Sequence, residues 1–110
     1  MSAADLFETI VETYEKFGWV LRRAVLTASS NAALNAELGR RGVTVTDAET
    51  DGLWFSRPSD AEQTAWELRY LGEMPFALLE HLNEKDDDFE TRLAETETRL
   101  AAAVARKETA

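Results

Sequence analysis

His81 is the only histidine in the chain, and histidine is the side chain whose ordinary pKa lies nearest neutrality. A general base also needs a substrate hollow and a partner that orients it. Glu80 and Glu84 are close in sequence, but strand alternation turns Glu80 to the opposite face. The expected role of His81 is a surface or sheet-packing one. Asp86, Asp87 and Asp88 invite a metal reading. A calcium loop, however, sets its ligands at alternating positions around a glycine-enabled turn, and this run has neither. One histidine and no cysteine argue equally against zinc. There is no Gly-x-Ser-x-Gly, Gly-x-Gly-x-x-Gly, Walker-type loop or His-Glu-x-x-His. Ser29 and Ser30 precede a helical pattern, where capping is their routine use. No catalytic residue, metal or cofactor is therefore expected.

Four arginines, Arg22, Arg23, Arg57 and Arg69, fall on predicted strands. Were those strands adjacent, the guanidinium groups could form an anion-binding patch, since arginine grips a carboxylate or phosphate through two parallel bonds. The competing expectation is an ion-pair ladder with Glu67, which shares a strand face with Arg69. Three tryptophans accompany them. Trp66 alternates with Leu68 and Tyr70, which predicts core. Trp54 stands between Leu53 and Phe55 and faces either a covered or an open side. Exposed beside arginines, it would have the composition of an interface hot spot. Trp54, Arg57, Glu67, Arg69 and His81 are thus the candidate binding residues.

The elements that position them follow from periodicity. Ser2 to Phe17 reads as an amphipathic helix with Leu6, Phe7, Ile10, Val11, Tyr14 and Phe17 on one face, Ser2 as cap and Gly18 as stop. Trp19 to Thr27 favours a strand, although Val20, Leu21, Ala24 and Val25 also fit a helical stripe. Ser30 is expected to cap a short helix from Asn31 to Arg40, followed by an edge strand at Val43 to Thr46. The segment 52–82 is the strongest β signal. Leu53 to Arg57 is one strand, closed by the turn cluster Pro58-Ser59-Asp60, and Ala65 to Leu71 the next. A three-residue loop at Gly72-Glu73-Met74 then returns Phe76 to Leu82, pairing Tyr70 with Phe76 and Leu68 with Leu78. Asp87 and Glu90 suggest a capping box for the last helix, whose stripe runs through Phe89, Leu93, Thr96, Leu100 and Val104. Glu95 and Arg99 suit an i, i+4 pair, and residues 106–110 are expected to fray. The fold class is α+β: an antiparallel sheet of three to five strands, with both end helices packed on one face in two layers.

Composition limits the roles. The 110 residues make one domain, 45% hydrophobic and 30% charged, with no cysteine to form disulfides. A formal charge of −9 disfavours nucleic acid and anionic membrane, which attract Lys and Arg. The amino terminus has no basic n-region followed by an apolar run, so a cytoplasmic location is expected. The resulting functional expectation is a non-enzymatic, acidic protein-interaction module, working as a homo-oligomer or as an adaptor, inhibitor or chaperone-like cap on a basic partner. The alternative is a small-anion binder that uses Arg57, Arg69, Glu67 and His81 on the polar sheet face.

Overall fold

The computed structural model describes residues 2–60 and 63–109. Among them the elements run α1 (Ala3–Lys16), β1 (Val20–Leu26), α2 (Ala28–Arg41), β2 (Thr44–Asp47), β3 (Gly52–Pro58), β4 (Thr64–Tyr70), β5 (Ala77–Leu82) and α3 (Phe89–Thr109). The five strands form one sheet, ordered β2-β1-β3-β4-β5. The fold is α+β, as expected. The sheet is antiparallel except between β1 and β2, which run parallel. Helix α2 makes the crossover that such a pair requires.

Local chemistry explains most boundaries. Ser2 caps α1 by accepting from Asp5 N at 3.1 Å, and the left-handed Gly42, at φ 65°, ends α2. The β4–β5 register is the expected one: Leu68 pairs with Leu78, and Tyr70 N donates to Phe76 O at 2.8 Å. Three expectations about the helices are corrected. Helix α2 starts at Ala28 rather than Asn31, because Thr27 caps it, accepting from Ser30 N at 3.3 Å. Asp51 reinforces that end, accepting from Thr27 N at 2.8 Å and Ser30 Oγ at 2.6 Å. Glu90 does not close a capping box; its carboxylate takes two 2.7 Å bonds from Arg23. Arg99 binds Glu80 and Thr96 rather than Glu95. Helix α3 runs through residues 106–109, and Ala110 lies outside the described residues.

The end helices take opposite faces, so the two-layer arrangement is corrected to three layers. Helices α1 and α2 pack Phe7, Ile10, Val11, Leu34 and Leu38 against Ala24, Leu26, Leu53 and Phe55. Helix α3 packs Phe89, Leu93, Leu100 and Val104 against Val25, Trp54, Trp66 and Leu68. Strand β3 explains why: Leu53, Trp54 and Phe55 are all fully buried, and a strand apolar on both faces must be covered on both. The cover is unequal. Helix α3 spans the sheet to β5, where Thr96, Arg92 and Arg99 all reach Glu80. The core under α1 and α2 takes residues from β1, β2 and β3 but none from β4 or β5. On that face Ala65 is buried and Glu67 and Arg69 half-buried, while Ala77, Leu79 and His81 of β5 are exposed. Among the described residues no helix is long and apolar enough to cross a membrane.

Candidate functional site

The structure separates the residues that the sequence grouped. Trp54 is fully buried beneath α3, with its indole N–H donating to Glu97 at 2.8 Å and its ring edge-on to Trp66 at 6.1 Å. It belongs to the core, on the face opposite Arg57. The four arginines do not gather. A bulge between Leu21 and Arg23 breaks the alternation of β1, and both adjacent arginines reach the α3 side. Arg22 lies 4.9 Å above Trp66 and donates to Ser56, while Arg23 binds Glu90 and lies over Phe89. Arg69 donates to the carbonyls of Tyr70 and Gly72 and so fastens the β4–β5 turn. Glu67 accepts a hydrogen bond from the Tyr14 hydroxyl. The expected Glu67–Arg69 pair is not among the described ion pairs.

Arg57 and His81 do come together. Strand pairing sets Arg57 opposite Ala65 and Ala65 opposite His81, on the sheet face that α1 leaves uncovered. Trp19, Arg57, Ala65, Leu79 and His81 line a hollow of about 390 Å³. A second hollow, of about 380 Å³, shares Trp19 and Arg57 and adds Tyr14, Phe17 and Glu67. The Arg57 guanidinium lies 4.8 Å above the Trp19 ring and donates to Phe17 O at 2.8 Å. That carbonyl belongs to the C-cap of α1, the negative end of the helix dipole, which suits a cation. Tyr14 anchors the group: it stacks on Phe55 at 4.0 Å and meets Trp19 edge-on at 6.0 Å. Burial, and then its hydrogen bond to the Glu67 carboxylate, hold the Tyr14 phenol well above its ordinary pKa.

Two apolar side chains flank this stack. Phe17 is 67% exposed and Leu79 53% exposed. Phe17, expected on the apolar face of α1, is instead exposed. The helix ends at Lys16, so Phe17 no longer follows the phase of Ile10 and Tyr14. Leu79 carried a legible signal, since it alternates with Leu78 and Glu80 and therefore shares the face of His81. His81 itself is exposed, and no described hydrogen bond orients it. No described group of three or more His, Asp or Glu side chains is placed to hold a metal ion. The surface is chemically an apolar, aromatic and guanidinium strip on a half-covered sheet. Compared with protein-family models, curated proteins and solved structures, the chain finds no match.

Proposed function

We propose that this chain is a non-enzymatic protein-interaction domain that works as a homo-oligomer, meeting its partner through the strip around Phe17, Trp19, Arg57, Leu79 and His81. One observation carries the reading. Two large apolar side chains, each more than half exposed, stand beside a stacked Trp–Arg pair on an open sheet face. Aromatic and arginine anchors ringed by apolar contacts are what binding surfaces use to concentrate their energy. The strip is also poor in acid for a chain of charge −9. Its carboxylate, Glu67, is already bonded by Tyr14, so two acidic molecules can approach here with least repulsion. Sedimentation velocity from about 1 to about 100 µM, the span in which modest interfaces form, tests the reading. A dimer or larger species is expected, and Phe17→Ser should move it towards monomer while leaving the unfolding transition in place. A wild-type monomer throughout would remove the self-association.

A second reading has its own support, because Arg57 and His81 line one hollow and no described carboxylate pairs with either. That hollow would bind a small anion. Arg69, engaged at the turn, is no part of it. A melting screen against phosphorylated and carboxylated metabolites should then give a shift that Arg57→Ala abolishes. No shift with any anion discards it.

A further inference from the structure

We infer that two copies of this chain join edge to edge through β5, antiparallel about a two-fold axis at Leu79, so that two five-stranded sheets become one of ten. This rests on the self-association proposed above and specifies how the copies meet. Strand β5 is one edge of the sheet. Its phase is set by Tyr70 N donating to Phe76 O, in the register that pairs Leu68 with Leu78. Alternation in an antiparallel ladder then turns the backbone groups of Phe76, Leu78, Glu80 and Leu82 inward to β4. Those of Ala77, Leu79 and His81 face outward, and no described backbone hydrogen bond engages them.

The two edges of this sheet are guarded differently. Strand β2 is four residues long, largely exposed, and ends in Asp47. Short polar edges resist pairing. Strand β5 is six residues long and regular in register, with no proline, lysine or bulge. Its central outward residue is Leu79, more than half exposed. The one charged side chain of this longer edge, Glu80, is neutralised by arginines of α3, so it guards the edge weakly.

The strand is complementary to itself in one register. An axis at Leu79 sets Leu79 against the second copy's Leu79, Ala77 against its His81, and Leu78 against its Glu80. All three outward residues then exchange both backbone bonds. An axis at Leu78 would bring His81 opposite Pro75, which has no N–H to give. An axis at Glu80 would set two glutamates face to face, a repulsive pair. In the favoured register Glu80 stays with Arg92 at 3.6 Å and with Arg99, both from its own α3. The joint therefore brings no unpaired carboxylate together, although each copy carries −9. The paired leucines also continue into the hollow that Leu79 shares with Trp19 and Arg57.

The chain has no cysteine, so single introduced thiols report the register directly. In a hydrogen-bonded antiparallel pair the Cα atoms lie about 5.5 Å apart, within disulfide range. Leu79→Cys, oxidised with diamide, is expected to give a linked dimer. Ala77→Cys and His81→Cys should link poorly alone and readily when mixed. Leu79→Lys, read by sedimentation equilibrium, should weaken the dimer by more than about tenfold. Linked dimers from Ala77→Cys alone, with none from the mixture, would overturn the register. A wild-type dimer that survives Leu79→Lys, shows no link at position 79 and dissociates in Phe17→Ser would overturn edge pairing while leaving self-association standing. A wild-type monomer would overturn both.

Discussion

Tyr14 shows how one side chain ties the open strip to the core. Its ring lies flat on the buried Phe55, its edge meets Trp19, and its hydroxyl donates to Glu67 across 53 positions of sequence. Tyr14→Phe keeps the stack and removes the charge-assisted bond, so a loss of about 1–2 kcal/mol is expected in urea denaturation near neutral pH. The alkaline limb supplies an independent check. The native phenol is held above its ordinary value of 10.0, so above that pH the unfolded chain releases a proton that the native chain keeps. Stability should then fall as pH rises through the raised native value, being fully present below 10.0, and Tyr14→Phe should flatten that slope. If wild type and variant decline in parallel, the bond is not formed in solution. At this scale the sequence was least informative. Arg57 and His81 line one hollow, whereas Trp54 and Glu67 take partners 43 and 53 positions away and Arg69 is held by the carbonyls of its own turn.

Elements were more legible, and where they meet is decided by small residues. Gly52, at the start of β3, is buried where α3 approaches the sheet. A Cβ there would lie 2.9 Å from Leu68 Cδ1, 3.2 Å from Leu100 Cδ2 and 3.3 Å from Val25 Cγ2. Leu68 and Leu100 are themselves almost wholly buried, so neither can swing aside. Gly52→Ala is therefore expected to destabilise by about 1–3 kcal/mol in thermal or urea unfolding, by overpacking. Gly39, inside α2 with nothing within 4 Å of its would-be Cβ, is the matched control. Gly39→Ala should stabilise by about 0.5–1 kcal/mol, as expected of alanine in a helix interior. Equal effects of the two substitutions would mean that α3 does not press on Gly52. The start of α2 combines both ranges: Thr27 is a local cap that accepts from Ser30 N, while Asp51, 24 residues beyond Thr27, reinforces it, and no local pattern announces that partner.

For the molecule as a whole, the charge of −9 sets the conditions of any association. Two like-charged copies repel over the Debye length, which shrinks from about 30 Å at 0.01 M salt to about 8 Å at 0.15 M. A contact made by β5 edges and apolar side chains should therefore tighten as NaCl is raised across that range, as followed by sedimentation equilibrium. Weakening with salt would point instead to contact between opposite charges and count against the copy-to-copy arrangement. The α+β class and the pairing of Leu68 with Leu78 could be read from the linear order of residues, and the strand at 20–26 was favoured there over a helix. Each depends on neighbours within one element or across one short loop, where periods of 3.6 and 2 carry the information. Folding in three dimensions settled which helix roofs which face, and hence that Trp54 is core while Phe17 and Leu79 are open. Alternation divides a strand into two sides but gives neither side an owner; that is decided by long-range packing, because a sheet apolar on both faces must find two separate covers.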